Sequence, residues 1–265
     1  MTDKLKVNAL FISDIHAGAP EARLSDAVDF LNLIQPEKVF LVGDIVDIRV
    51  LKRKGSISVH DLRLLSDALL SFADIPVTYL PGNHDPEIES SKNCLPRNVD
   101  VRSEEEHITK TGERILVFHG HQVDTHVGTR MEIVLDIVCV TYTSFLRLQS
   151  ALGRIFRFVG IDIDINIVGR LRYQFPVWSK HVSSFEERVF KYARHKGYSS
   201  VICGHIHVPK LRHSFHGSYY NTGDWVENRT ALIETLDGEI VLITFDAIQK
   251  KIISISDCNS PILLN

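Results

Sequence analysis

The sequence is poor in cysteine, and its few thiols are not arranged in pairs. The chain of 265 residues has four cysteines, which are Cys94, Cys139, Cys203 and Cys258. They lie far apart and form no CxxC pair, so neither a disulfide framework nor a thiolate zinc site is expected. Widely spaced, unpaired cysteines are typical of a reducing compartment, and we expect a cytoplasmic location.

Long apolar runs and an excess of charge are also missing. No stretch reaches the ~18 uncharged apolar residues that a membrane-spanning helix requires. The apolar run at residues 7–12 is too short for the core of a secretion signal. The formal net charge is −3, and because nucleic-acid affinity depends largely on neutralising phosphates, we expect no nucleic-acid partner.

The first third of the chain alternates between two kinds of apolar pattern. Residues 7–12, 39–42 and 77–80 are short apolar runs that predict buried strands, and residues 21–34 and 61–72 have helical spacing. Alternation of strand and helix predicts parallel pairing in an α/β layered fold. Short strands dominate after residue 99 and are predicted at 99–101, 107–109, 114–118, 201–203, 211–215, 219–222, 231–235 and 240–245.

Two local signals add detail to the second half. Asp237-Gly238 predicts a hairpin turn. Ser183 and Glu186 have the spacing of a capping box, which predicts a helix from 183 to about 196.

A segment of different character lies between His121 and Glu186. It is apolar at first and then carries interleaved arginines, which include Arg154 and Arg157. The stretch 161–167 alternates at period two and reads as a strand among helical neighbours, so its state stays open. We treat the chain as one domain, 1–265, with an inserted lid-like subdomain at 122–185.

Polar residues suited to binding metal follow five of the apolar runs, where each run ends. The motifs are Asp14-Ile15-His16, Gly43-Asp44, Asn83-His84-Asp85, His119-Gly120-His121 and Gly204-His205-Ile206-His207. Sites in α/β sheets gather beyond the carboxyl ends of parallel strands, so the five motifs are expected to converge. Each motif alone is common in turns, but five in order are hard to explain as turns.

The residue types indicate both the metal and the reaction. Carboxylate, imidazole and amide oxygen ligands favour Mn, Fe, Zn or Co. A carboxylate can bridge two such ions, and a pair of ions ~3.5–4 Å apart clamps a phosphoryl group during hydrolysis. We therefore expect two divalent transition-metal ions, with Mn²⁺ the first choice, in a hydrolase of phosphoric ester or anhydride bonds.

In these motifs the sequence resembles the calcineurin-like metallophosphoesterase superfamily. The resemblance covers residues 14–207 and implies a four-layer α/β/β/α sandwich, here with a helical insertion. It implies that one ion is held by Asp14, His16, Asp44 and His207, and that the second is held by Asn83, His119 and His205 together with a bridging Asp44. It also implies that His84 contacts the phosphate and aids the leaving group, and that Asp85 orients His84.

A narrower resemblance is to the UDP-2,3-diacylglucosamine pyrophosphatase branch of lipid A biosynthesis. It rests on residues 219–227, on the insertion and on the plain order of motifs. It implies cleavage of a nucleotide-activated lipid sugar to UMP and a lipid phosphate. This chain has His84 where the best-known members of that branch have Arg.

Further substrate contacts and the role of the insertion complete the expectations. His121 and Asn221 are candidate substrate-binding residues, as are Arg154 and Arg157 of the insertion, whose forked geometry suits phosphate. The insertion would supply an acyl groove or a peripheral membrane contact. The simpler interpretation is a helical insert that packs on its own domain or forms a dimer contact. A phosphatase or phosphodiesterase of another small or nucleotide substrate, and a non-catalytic binding scaffold, remain alternative functions.

Overall fold

A seven-stranded sheet forms one half of the protein. The computed structural model describes residues 4–50, 59–90, 95–124, 176–215 and 217–255. The strand order in this sheet is β12-β11-β10-β1-β2-β3-β4, with β1 to β4 parallel and β10 to β12 antiparallel. Its strands are β1 (Leu5–Ile12), β2 (Ile34–Leu41), β3 (Val77–Tyr79), β4 (Val99–Val101), β10 (Thr230–Glu234), β11 (Ile240–Asp246) and β12 (Lys251–Ile255).

A second, five-stranded sheet is formed by the middle of the chain. Its order is β5-β6-β7-β9-β8, in which β6, β7 and β9 are parallel and the two outer strands run antiparallel to their neighbours. The strands are β5 (Glu104–Ile108), β6 (Arg114–Phe118), β7 (Ser200–Cys203), β8 (Lys210–Ser214) and β9 (Gly217–Asn221).

The two sheets pack face to face, and helices cover their outer faces. Phe11 of β1 and Val117 of β6 belong to one buried cluster between the sheets. The neighbouring Leu10 packs on the opposite face with helices α1 (Leu24–Leu33) and α2 (Val59–Leu70). Successive side chains of a strand point to opposite faces, so each central strand contributes to two cores.

Helix α3 (Pro176–His195) covers the five-stranded sheet through a third buried cluster that includes Phe185 and Phe118. The order of layers is therefore α1 and α2, seven-stranded sheet, five-stranded sheet and α3. The predicted α/β/β/α arrangement agrees with these packing clusters. Within the described residues, no helix is long and apolar enough to cross a membrane.

Most predicted elements are present, with bounds shifted by a few residues. The hairpin turn at Asp237-Gly238 is confirmed. The Gly238 N–H donates to the Thr235 carbonyl at 3.0 Å, and the turn joins the antiparallel strands β10 and β11. Strand β12 (Lys251–Ile255) was not predicted from the sequence.

The predicted start of α3 is wrong. The helix begins at Pro176, so Ser183 and Glu186 lie in its interior rather than at a cap. Glu186 is buried, and its carboxylate accepts hydrogen bonds from Lys210 at 2.5 Å and Arg212 at 2.9 Å on β8. Residues 125–175 of the predicted insertion, with the 161–167 stretch, lie outside the described residues.

Candidate metal centre

The five polar motifs converge at the carboxyl ends of parallel strands of both sheets. Three groups of side chains each present ligand atoms that lie within 4.8 Å of one another, and one of them, His16, Asp44 and His84, shares one residue with each of the two sites described next. The first site comprises Asp14, His16 and His207, and the second site brings His119 and His205 together with Asp44.

In the first site the Asp14 carboxylate lies between two imidazoles. Its Oδ1 is 3.2 Å from Nε2 of His207 and 3.8 Å from Nε2 of His16. Its Oδ2 accepts from the Ser13 hydroxyl and from the backbone N–H of His205 at 3.0 Å. One carboxylate oxygen is thus held by the protein, and the other faces the histidines.

In the second site a backbone contact orients His119. Its Nδ1–H donates to the Val42 carbonyl at 2.7 Å, so Nε2 faces the centre. His205 follows β7, and its Nε2 lies 3.1 Å from Oδ2 of Asp124. Asn83 follows β3, and its Oδ1 is buried without a hydrogen-bond partner in the described part of the chain.

Asp44 lies between the two sites, as a bridging ligand must. Its Oδ2 is 3.4 Å from Nε2 of His119 and 3.8 Å from Nε2 of His16. Its Oδ1 accepts the backbone N–H of His84 at 2.7 Å. The carboxylate is therefore fixed at one oxygen while the other reaches both sites.

The backbone at these positions is unusual. Asp14, His16, Asp44, His205 and His207 all have a φ between 51° and 71°. Non-glycine residues rarely adopt this left-handed region, and it costs on the order of 1 kcal/mol or more at each position. Five predicted ligands share it, and such clustering of strain is typical of functional sites.

Two glycines allow the loops to approach so closely. A Cβ added at Gly43, whose φ is +83°, would lie 2.5 Å from Nδ1 of His119. A Cβ at Gly204 would lie 2.5 Å from Oδ2 of Asp14. Side chains at these two positions would push the ligand-bearing loops apart.

The donor set fits two divalent ions. Within the described residues, four atoms of predicted ligands are buried without a hydrogen-bond partner: Oδ1 of Asp14, Nε2 of His16, Oδ1 of Asn83 and Nε2 of His119. Buried polar atoms are nearly always paired, so a set of unpaired atoms on facing loops requires an explanation. Cations between these oxygen and nitrogen atoms would satisfy them, and the ligand types suit Mn, Fe, Zn or Co.

The electrostatics agree with a site built for positive charge. Burial opposes ionisation of Asp14, but the facing His207 and His16 outweigh it and hold the pKa of Asp14 well below its usual value. Burial also opposes a charge on His119, yet Asp44 and Asp14 raise the pKa of His119 to about 9. Metal binding at Nε2 of His119 would therefore displace a proton.

His84 lies beside the metal centre and is held by Asp47. Nδ1 of His84 is 3.0 Å from Oδ2 of Asp47, and the same oxygen is 3.5 Å from Nδ1 of His16. Burial opposes a charge on Asp47, but His16 and His84 outweigh it and hold the pKa of Asp47 far below its usual value. An ionised Asp47 thus fixes the proton of His84 on Nδ1 and leaves Nε2 for another partner.

The prediction that Asp85 orients His84 is wrong. The Asp85 carboxylate accepts hydrogen bonds from the backbone N–H groups of Ile45 at 2.8 Å and Gly82 at 2.6 Å, and from the Tyr79 hydroxyl at 2.6 Å. Asp85 therefore connects the loop that carries Asp44 to the loop after β3, and it stabilises the positions of these loops rather than the orientation of His84.

Asn221 does not face the site, contrary to the sequence interpretation. It is fully buried, with its amide donating to the Gly204 carbonyl at 2.9 Å and its Oδ1 accepting the Gly223 N–H at 2.9 Å. It supports the loop that carries His205. The predicted contacts of Arg154 and Arg157 lie outside the described residues and stay predictions.

His121 lies close to the second site. Its ring centroid is 5.4 Å from that of His119 and 6.5 Å from that of His205. Burial, with the neighbouring His119 and His205, lowers the pKa of His121 to about 4. A neutral imidazole at the edge of the centre is compatible with the predicted substrate contact.

Three carboxylates beside the ligands were not identified from the sequence. Asp47 contacts His16 and His84, Asp124 contacts His205, and Oδ1 of Asp224 lies 3.9 Å from Nδ1 of His207. Asp47 follows the Gly43-Asp44 motif by three residues, so its proximity to that motif was a usable signal. Asp224 lies within the stretch 219–227 that carries the narrower resemblance, whereas Asp124 belongs to no motif.

Comparison with known proteins agrees with this centre. The family model of the calcineurin-like phosphoesterases matches residues 7–209. The chain belongs to the calcineurin-like phosphoesterase family. Both predicted sites lie within the matched residues. The loops that carry the candidate ligands are therefore part of the region by which the family is defined.

Several solved structures are similar over almost their whole length. A single mutant of Vps29 from Entamoeba histolytica has 14% identity and a TM-score of 0.49, covering 93% of this chain and 97% of its own. An archaeal phosphodiesterase has 15% identity and a TM-score of 0.39, covering 93% and 98%. A predicted phosphoesterase from Streptococcus pneumoniae has 12% identity and a TM-score of 0.40, covering 94% and 98%. No curated protein matches the sequence.

Proposed function

We propose that the protein hydrolyses a phosphoric ester or anhydride bond with two divalent metal ions. The observation that carries this proposal is the pair of ligand groups on either side of Asp44, whose Oδ2 lies 3.4 Å from His119 and 3.8 Å from His16. A carboxylate between two sets of imidazoles is the arrangement that a dinuclear centre requires.

The candidate ligands form two sets, one for each ion. Asp14, His16 and His207 would hold one ion, Asn83, His119 and His205 would hold the other, and Asp44 would contribute to both sites. When bound, the ions would polarise the phosphoryl group and lower the pKa of a water for attack. Mn²⁺ is the first candidate, and Fe, Zn or Co suits the same ligands.

His84 would act on the substrate rather than on the metal. Its Nδ1 proton is held by Asp47 at 3.0 Å, and its side chain is 29% exposed. Nε2 is therefore available to contact the phosphate and to assist departure of the leaving oxygen. A positioned imidazole in this role typically contributes about 10²–10⁴-fold to a rate.

The narrower proposal concerns the substrate. We propose UDP-2,3-diacylglucosamine, or a similar nucleotide-activated lipid sugar, cleaved to UMP and a lipid phosphate by a cytoplasmic protein in peripheral contact with the membrane. Support comes from the sequence resemblance over residues 219–227 and from the apolar, arginine-containing composition of the predicted insertion.

The test is a substrate panel measured with Mn²⁺. UDP-2,3-diacylglucosamine, bis-p-nitrophenyl phosphate, p-nitrophenyl phosphate and a dinucleotide polyphosphate would be compared by kcat/KM, with UMP release followed by chromatography. We expect the lipid sugar to be cleaved best. If it is untouched while a generic diester is cleaved well, the substrate proposal fails and the phosphodiesterase alternative replaces it. If none is cleaved with metal bound, the hydrolase proposal fails.

A further inference from the structure

Asp124 joins a predicted metal ligand to helix α3. It follows the short 3₁₀ helix His121–Val123, and its two carboxylate oxygens face in different directions. Oδ2 lies 3.1 Å from Nε2 of His205, and Oδ1 accepts from the Arg188 guanidinium at 3.0 Å. No motif singled out Asp124 or Arg188.

The contact with Asp124 decides which nitrogen of His205 is available to an ion. An ionised carboxylate only accepts hydrogen bonds, so Nε2 of His205 must carry its proton toward Asp124. The lone pair is then on Nδ1. A carboxylate of this kind fixes both the tautomer and the orientation of a metal-binding imidazole.

Arg188 in turn contacts both Asp124 and the residue before it. Its Nε donates to the Val123 carbonyl at 2.9 Å, while its Nη2 reaches the Asp124 carboxylate. One turn earlier on the same helix, the Phe185 ring packs 5.8 Å from the His205 ring. The loop after β6, helix α3 and the loop after β7 therefore meet at His205.

We propose that Asp124 and Arg188 are positioning residues that hold the His205 imidazole for the ion of the second site. The inference rests on the proposed dinuclear centre. It adds that Asp124 and Arg188 set the affinity for the ion of the second site and not for the ion of the first. The first site has different supports, because its histidines face Asp47 and Asp224 instead. Substitution of Asp124 is therefore expected to affect the two ions unequally.

The test is calorimetric titration of Mn²⁺ into chelator-treated protein. Wild type is expected to bind two ions. In Asp124→Asn one ion should keep its affinity and the other should bind about 10–100-fold more weakly. Asp100→Asn, which removes an exposed carboxylate paired with Arg102, should leave both affinities unchanged. Equal affinities in wild type and Asp124→Asn would overturn the proposal.

Further variants separate positioning from general support of the fold. Asp124→Glu keeps the carboxylate and should recover part of the lost affinity, and Arg188→Ala should weaken the same ion by a smaller factor. Arg194→Ala, on the exposed side of α3, is the matched control. Equal weakening of both ions, with a lower melting temperature of the metal-free protein, would assign Asp124 a purely structural role.

The outcomes also distinguish this inference from the proposed function. A wild-type protein that binds no Mn²⁺ would remove the dinuclear centre itself. A wild-type protein that binds two ions and hydrolyses phosphodiesters, alongside an Asp124→Asn variant with unchanged ion affinities, would remove only the role of Asp124.

Discussion

The two proposed metal sites share Asp44 but differ in charge. The first has a carboxylate of its own, Asp14, which is fully buried and faces His16 and His207. The second has a neutral amide, Asn83, in the corresponding role. Because a carboxylate attracts a divalent cation more strongly than an amide oxygen does, the first site is expected to bind its ion more tightly.

The supports of the two sites differ as well. The Asp14 carboxylate accepts hydrogen bonds from the Ser13 hydroxyl and from the backbone N–H of His205. Because His205 follows β7, these contacts connect the first site to the five-stranded sheet. The second site depends on the Val42 carbonyl for His119 and on Asp124 for His205. A tightly held ion next to a more weakly held one implies stepwise loading.

Removal of the shared ligand Asp44 should affect both sites equally. Asp44→Ala takes away the oxygen that lies between His16 and His119, so both ions should be lost and phosphodiester hydrolysis should fall on the order of 10³-fold or more. Metal content by mass spectrometry and kcat/KM would be measured together. Retention of two ions with near-normal activity would show that Asp44 does not bridge.

Substitution of His84 should leave both sites intact. His84→Asn removes the imidazole that faces the substrate, so kcat should fall about 10²–10³-fold while two Mn²⁺ ions still bind. The readouts are steady-state kinetics and calorimetric stoichiometry. His84 also lies within 4.8 Å of His16 and Asp44, and loss of an ion in this variant would make His84 a ligand instead.

A smaller effect is expected from a buried histidine outside both sites. Nε2 of His107 lies 2.8 Å from Oε2 of Glu234 between the sheets, and both side chains are almost fully buried. Burial, with a contribution from Lys38, lowers the pKa of His107 to about 4, against an ordinary value of 6.5. His107 is therefore neutral in the fold and takes up a proton on unfolding.

The consequence is a loss of stability in acid. For the metal-free protein, the contribution of His107 to the free energy of unfolding is complete above pH 6.5 and lost as pH falls toward 4, on the order of 1–3 kcal/mol. Urea titrations at several pH values would measure it. His107→Gln should flatten this dependence, whereas replacement of the exposed His195 by Gln should not. An unchanged slope in His107→Gln would contradict the assignment.

The sequence was sufficient for the parts of the site that follow strand ends. Asp44, His119 and His205 each come directly after an apolar run or its closing glycine, and Asp14 follows its run after Ser13. The parallel register of β1 with β2, and of β6 with β7, brings each pair of strand ends to the same edge of its sheet. Such a pattern can be recognised from neighbouring residues alone. Because the carboxyl ends of parallel strands lie side by side, the residues that follow them are expected to be close in space.

Contacts between distant segments could not be predicted in the same way. Asp124 meets His205 across 81 residues, and Glu186 meets Lys210 on another element. The capping-box interpretation of Ser183 and Glu186 failed because a Ser-x-x-Glu spacing also occurs inside helices. Asn221 was misplaced because its position at a strand end does not reveal that its amide is used by Gly204 and Gly223.

The most direct test of the two-ion account is a stepwise titration of chelator-treated protein with Mn²⁺, with binding and hydrolysis of bis-p-nitrophenyl phosphate followed in parallel. The account predicts that the first equivalent binds tightly with little activity and that hydrolysis rises as the second, weaker ion binds. Full activity with a single bound ion, or the absence of Mn²⁺ binding, would contradict it.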